Sequence, residues 1–208
     1  MKKRVLVGLL TAAVLLTYSC GSREAVKHYN FGNVLRKQGK FAEAEKEFRE
    51  AIRLKPDYAD AHNNLGVALL EQGKTEEAVA EYREAVRLEP DVAYRYDNLG
   101  WALLKQGKTE EADEEYRVGL RLKPDDCVAH YLFGIVLTDQ GKLEEAEKEY
   151  REAIRLQPYF DVALEHLAEA LDAKGERKEA RGYWERALKS EDKPEWIERI
   201  KKRLAEPD

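Results

Sequence analysis

The sequence predicts an all-α fold: five helical hairpins in tandem, closed by a C-terminal helix. Three observations point to it. Pro56, Pro90, Pro124 and Pro158 stand 34 residues apart. Gly39, Gly73, Gly107, Gly141 and Gly175 keep the same period at a different phase. Between them run segments rich in Ala, Glu, Lys, Leu and Arg, in a chain that is 37% charged and 43% hydrophobic, as amphipathic helices are. A fixed period with one helix breaker in the middle and another at the end of each unit describes repeated helix–turn–helix hairpins.

Each series has a physical reason. In the second repeat the first helix (helix A) is expected from about Asp60 to Gln72, with Leu65, Gly66 and Leu69 on its inward face. Gly66 lacks a Cβ and belongs to the series Gly32, Gly66, Gly100 and Gly134, continued by Ala168. It lets the second helix (helix B) approach closely. Ala44, Ala78, Ala112, Ala146 and Ala180 supply the matching small side on helix B, and Phe48, Tyr82, Tyr116, Tyr150 and Trp184 fill the space beside it. Gly73 can take positive φ and end helix A without strain. Pro90 lacks an N–H and ends helix B. Asp57, Asp91 and Asp125 follow their prolines and are expected to cap the next helix A.

These boundaries give repeats 25–58, 59–92, 93–126, 127–160 and 161–194, followed by a capping helix and tail over 195–208. In the last segment Trp196, Ile197, Ile200 and Leu204 are expected to cover the fifth repeat, with Lys201, Lys202 and Arg203 facing water. The fifth repeat departs from the pattern at Ala168 and Asp192, as terminal repeats do.

The period of 34 and the Gly, Ala, aromatic and Pro series over roughly 25–194 resemble the tetratricopeptide repeat. The resemblance implies a right-handed superhelical solenoid that binds an extended peptide of another protein on a concave face lined by the A helices. By helical offset that face presents Tyr29, Asn33 and Arg36 in the first repeat, and Asn63, Val67 and Leu70 in the second. The third repeat presents Asp97, Trp101 and Leu104, with Tyr94 one turn earlier; the fourth presents Tyr131, Ile135 and Thr138; the fifth presents Glu165, Glu169 and Asp172. The middle is thus apolar and the end acidic. Asn30, Asn64 and Asn98 form a row whose amides can pair with a peptide backbone without reading its sequence. The partner-binding set is Tyr29, Asn33, Asn64, Val67, Leu70, Tyr94, Asn98, Trp101, Leu104 and Tyr131. Some members of the family hold a C-terminal carboxylate with two Asn and three basic residues. Asn33 and Asn64 match the Asn positions, but Tyr29, Tyr94 and Asn98 stand where the basic residues belong, so that clamp is not expected.

The N-terminus has the layout of an export signal over 1–19. Lys2, Lys3 and Arg4 precede an apolar run from Val5 to Leu16, too short to span a bilayer comfortably, and Ser19-Cys20 follows. The cleavage region resembles a bacterial lipoprotein signal, with Thr17 and Tyr18 as departures from it. That resemblance implies lipid on Cys20, a short tether over 20–24, and an array facing the periplasm. Gly21, where an inner-membrane protein of this class carries Asp, favours the outer membrane. Ordinary cleavage near Ser19, giving a soluble periplasmic protein, is the other reading. Small multi-repeat lipoproteins that assist pilus secretin assembly are similar in layout, and regulation of a cell-wall enzyme or self-association are further alternatives.

Other classes are disfavoured. There are 36 basic and 41 acidic side chains, and three of the basic ones lie in the export signal, so the rest of the chain is acidic and no nucleic-acid partner is expected. No catalytic role or cofactor is expected either. Ser occurs only at Ser19, Ser22 and Ser190, and Cys127 reads as a small residue at a helix start. His28, His62 and His130 share one repeat position, so neighbouring repeats hold them roughly 10 Å apart, too far to share a metal ion. They are expected to be packing groups. A capped array is expected to be a monomer.

Overall fold

The computed structural model describes residues 21–189 and 194–205. Cys20 and residues 1–19, the segment expected to be an export signal, lie outside them. The described residues are helical throughout, joined by short turns. Helix α1 covers 21–37, so the positions expected as a tether, 21–24, are already helical. It is followed by α2 (Phe41–Leu54), α3 (Ala59–Leu70), α4 (Thr75–Leu88), α5 (Ala93–Lys105), α6 (Thr109–Leu122), α7 (Cys127–Asp139), α8 (Leu143–Leu156), α9 (Asp161–Ala173), α10 (Arg177–Ala187) and α11 (Pro194–Ala205). The odd-numbered helices α1 to α9 are the A helices of five hairpins and the even-numbered ones are the B helices. The chain forms two compact units, Met1–Ala102 and Leu103–Asp208.

Every A helix ends the same way. Gly39, Gly73, Gly107, Gly141 and Gly175 all have φ between 72° and 84°. At the second of them Gly73 N–H donates to the Leu70 carbonyl at 3.0 Å and Lys74 N–H to the Leu69 carbonyl at 2.9 Å. This paired closure satisfies carbonyls that the end of a helix leaves open, and it needs a left-handed residue that glycine adopts at least cost. The start of the helices differs from expectation. Tyr58, not Asp57, occupies the cap position of α3 and makes no side-chain cap bond. In the fourth repeat Asp126, one residue beyond Asp125, caps α7 by accepting from Val128 N–H at 3.1 Å and Ala129 N–H at 3.2 Å. A cap must stand directly before the first helical turn, and the turns after Pro56 and Pro124 place that position one residue later than the proline spacing suggests.

The core is built from the small–aromatic pairing. Ala44, Ala78, Ala112, Ala146 and Ala180 are fully buried, as are Phe48, Tyr82, Tyr116 and Tyr150, with Trp184 nearly so. A Cβ placed on Gly66 would stand 2.7 Å from Tyr82 Cε1, and one on Gly32 would stand 2.7 Å from Phe48 Cε1; Gly134 faces Tyr150 in the same manner. The ring lies directly against the backbone of the facing helix.

A polar clamp also closes the hairpins. His62 Nδ1 lies 2.6 Å from Glu81 Oε2 on α4, and its Nε2 lies 3.1 Å from the Pro56 carbonyl. His130 repeats this with Glu149 at 2.6 Å and the Pro124 carbonyl at 3.0 Å. His28 meets Glu47 at 2.6 Å, and Tyr96 replaces the histidine in the third repeat, donating to the Pro90 carbonyl at 2.9 Å. These side chains tie helix A to the turn before it and, through the histidines, to helix B. Both partners of His62 and His130 are acceptors, an arrangement that favours the ring with a proton on each nitrogen. Burial works against that charge, but the bonds to Glu81 and Glu149 and to the two carbonyls outweigh it, and both histidines are raised above the usual range.

In the second unit α11 packs with α10 and buries Ile200, while Trp196, Ile197 and Leu204 are half-buried and Lys201, Lys202 and Arg203 face water.

Two outcomes follow. Gly66→Ala should lose about 1–3 kcal/mol in urea unfolding, because Tyr82 is held on all sides and cannot move away. Gly182→Ala, where nothing lies within 4 Å of the new Cβ in the interior of α10, should instead gain roughly 0.5–1 kcal/mol. The clamp sets a pH dependence. A histidine whose folded pKa lies above its unfolded value near 6.5 stabilises fully below about pH 6.5, and that contribution disappears as pH rises through the folded pKa. Urea midpoints should therefore fall from about pH 6 towards about pH 9, and His62→Gln with His130→Gln should flatten the fall.

Candidate functional site

In the first unit the A helices carry a connected row of amides. Asn64 Nδ2 on α3 donates to Asn33 Oδ1 on α1 at 2.8 Å and to the Tyr29 hydroxyl at 3.2 Å. Asn63 Nδ2 donates to Asn64 Oδ1 at 3.2 Å, and Asn98 Nδ2 on α5 donates to Asn63 Oδ1 at 2.9 Å. Three successive A helices are thus bridged through side-chain amides. Asn33, Asn64 and Asn98 stay part-exposed, while Asn63 is buried. The bonds use one end of Asn33 and of Asn98; Asn33 Nδ2 and Asn98 Oδ1, a donor and an acceptor, are not used within the row.

This arrangement refines the expected ladder. Asn30 shares the repeat position of Asn64 and Asn98 but is exposed and takes no part. Asn33 and Asn63 do. The sequence could have indicated this, since Asn33 and Asn64 are 31 apart, one turn short of the repeat, and helix–helix neighbours need not share a repeat position.

Val67 lies one turn beyond Asn63 on α3 with Leu70 next to it, and Trp101 lies one turn beyond Asn98 on α5; all three are part-exposed. Apolar surface therefore flanks the amides on two A helices of the first unit. Tyr29 is half-consumed by packing, its ring centroid 4.9 Å from Tyr58 and 6.1 Å from Phe48. Tyr94 is exposed, and its hydroxyl donates to Asp60 at 3.2 Å.

The second unit treats its candidates differently. Leu104 is part-exposed near the end of α5. Tyr131 sits in an aromatic cluster, 5.2 Å from Phe160, 5.5 Å from His166 and 6.3 Å from Tyr150 between ring centroids. Burial and the charges of Glu165 and Glu169 push its phenol above the usual range, so it is a neutral hydroxyl at ordinary pH. Much of its ring is core surface of α7 and α9. The acidic end expected in the fifth repeat is also largely spent. Glu165 is buried, accepting from Trp196 Nε1 at 2.6 Å and pairing with Arg199, while Asp172 pairs with Arg177 at 3.0 Å. The capping helix lies where those carboxylates were expected to meet a ligand, and it neutralises the first of them.

One polar residue was not anticipated. Arg95 on α5 is 2% exposed, and its Nη2 pairs with Asp60 at 2.9 Å and with Glu89, while Nε and Nη1 have no partner. The equivalent positions in the second, fourth and fifth repeats are Ala61, Ala129 and Ala163, all buried and small, while the first repeat has the exposed Lys27. A break in a small-residue series was the available signal.

Comparisons with known proteins agree with this architecture. The tetratricopeptide repeat family model matches residues 29–93 and 98–159. Comparison of the sequence with curated proteins gives no match. Among solved structures, PilF of Pseudomonas aeruginosa superposes with a TM-score of 0.79 at 22% identity, covering 89% of this chain and 84% of that one. PilW, described as a widely conserved type IV pilus biogenesis factor, gives 0.78 at 19% identity, with 86% of each chain covered. YrrB, described as a tetratricopeptide protein with an unusual peptide-binding site, gives 0.70 at 21% identity over 86% of this chain and 92% of that one. At these identities the solved structures speak for the fold alone. With the family model covering more than half of its length, the chain belongs to the tetratricopeptide repeat family.

Proposed function

We propose that this protein is a non-catalytic scaffold that holds an extended segment of another protein, and that the amide row of the first unit is the centre of its binding strip. The single observation that carries the reading is the bridge Asn33–Asn64–Asn63–Asn98. An extended peptide offers alternating N–H and C=O groups, and a row ending in one unused donor and one unused acceptor can meet them without selecting side chains. Val67, Leu70 and Trp101 flank the row with apolar surface; Tyr29 and Tyr94 border it. Leu104 and Tyr131 belong to the second unit and are proposed as a separate, smaller contact there. Tyr131 contributes an edge rather than a whole ring.

The proposed setting is the bacterial envelope, with Cys20 carrying lipid, the segment 1–19 removed as the export signal, and the outer membrane as the resident bilayer. Its support is the basic–apolar–Ser19-Cys20 layout of the N-terminus. Among the described residues no helix is long and apolar enough to cross a membrane. A second reading, accessory to pilus or secretin assembly, draws on the likeness in fold to PilF and PilW.

Asn64→Ala combined with Trp101→Ala should weaken partner capture from envelope extracts at least about tenfold, since each bond or hot-spot contact contributes on the order of 1 kcal/mol or more. Circular dichroism should show the array still folded. Unchanged capture by a folded double variant would reject the strip. Cys20→Ala should move the protein from the membrane to the soluble fraction, and retention on the membrane would reject the lipid anchor.

A further inference from the structure

The two ends of the array are finished differently. At the C-terminal end α11 covers the fifth repeat and buries Ile200. At the N-terminal end α1 leaves Val26, Phe31 and Val34 exposed by 43%, 53% and 48%. One repeat later Phe31 and Val34 correspond to Leu65 and Ala68, which are 1% and 0% exposed because an earlier repeat stands against them. In α1 nothing among the described residues takes that place. Repeat arrays normally finish such an end with polar residues. Three apolar side chains, one of them aromatic, mark a surface meant to be covered.

The chemistry of the surrounding positions says what covers it. At about 100° per residue, Arg23, Val26, Lys27, Asn30, Phe31, Val34 and Lys37 fall within one arc of roughly 140°. All of them are exposed. Helix α1 carries four basic residues, Arg23, Lys27, Arg36 and Lys37, against one acid, Glu24, which is bonded to Lys27 at 2.7 Å. The chain as a whole has a net charge of −5, so this helix is a basic exception. On this arc the apolar Val26, Val34 and Phe31 are interleaved with Arg23, Lys27 and Lys37, and a face that mixes apolar bodies with long basic side chains suits the boundary between acyl chains and anionic headgroups. The place in the chain agrees. Helix α1 is described from residue 21, directly after Cys20, and Val26 to Val34 span about 12 Å along its axis.

We infer that α1 is a membrane-surface helix: its Val26, Phe31 and Val34 side chains lie in the interface of an anionic bilayer, and Arg23, Lys27 and Lys37 on the same arc meet the headgroups. The inference rests on the proposed lipidation of Cys20, which brings the helix to the bilayer. A single attachment point leaves an array free to swing. A second contact along α1 fixes its orientation and keeps the amide row at a set angle to the membrane.

The test uses the full lipidated chain purified from membranes, with Cys127→Ser so that one introduced thiol can be labelled. Asn30→Cys, inside the stripe, and Tyr159→Cys, 81% exposed in the second unit, each carry an environment-sensitive fluorophore. The protein is reconstituted into phosphatidylethanolamine–phosphatidylglycerol vesicles containing brominated acyl chains. The label at position 30 should be blue-shifted and lose fluorescence to the bromines, and the label at 159 should do neither. Adding Val26→Ser, Phe31→Ser and Val34→Ser should abolish the quenching at 30 while the protein still sediments with the vesicles. An anchored protein whose label at 30 is as wet as that at 159 overturns the stripe and leaves the anchor standing. A blue shift at 30 without bromine quenching assigns the stripe to a protein contact, such as a second copy, and also overturns the inference. A chain that does not sediment at all rejects the anchor, and the stripe falls with it.

Discussion

In the first, second and fourth hairpins an aromatic ring of helix B rests on a glycine of helix A, and the spacing of the two helices is set by that contact. Phe48 lies on Gly32, Tyr82 on Gly66 and Tyr150 on Gly134, with no room for a Cβ between them. The fully buried Ala series beside the rings completes the close approach. The remaining features depend on this distance. It brings the histidines of helix A within reach of glutamates on helix B, and it leaves part-exposed positions of helix A to carry side chains such as Asn33, Asn64 and Asn98. A hairpin held this tightly still exposes one apolar side, so the fold needs neighbours, and its two ends become special.

The polar clamp adds a constraint that apolar packing cannot supply. His62 and His130 each join three elements: their own helix, the facing glutamate and the carbonyl of the preceding proline. A proline has no N–H, but its carbonyl remains an acceptor, and here that acceptor anchors the next repeat. Tyr96 does part of the same work with a hydroxyl in place of an imidazole.

Much of this was legible in the sequence, and the parts that were not share a cause. The Gly and Pro series gave the hairpins because each breaker acts locally, through its own φ or its missing N–H. The rings of Phe48, Tyr82, Tyr116 and Tyr150 were legible for the same reason: their partners recur at one period. Helix caps were misplaced by one residue, since Asp57, Asp125 and Asp126 differ only in where the first turn closes. Contacts between neighbouring helices were harder. The amide row joins Asn33 to Asn64 and Asn63 to Asn98, pairs that do not share a repeat position, and Glu165 is taken up by Trp196 and Arg199 from a helix outside the repeat pattern. Arg95 stands where three repeats have Ala, and its partners Asp60 and Glu89 become visible only once α3 and α5 are side by side. Periodicity finds what every repeat does; it is silent on what one repeat does alone, and the candidate binding residues fall mostly in that second class.

The proposed recognition strip lies on the A helices, and the charged B helices are left to face water. Cross-linking with mass spectrometry in intact cells tests this most directly. Partner cross-links are predicted to concentrate on lysines and carboxylates bordering α3 and α5, such as Glu71 and Lys105. Cross-links confined to the B helices, at residues such as Lys46, Glu76 and Lys148, would contradict it.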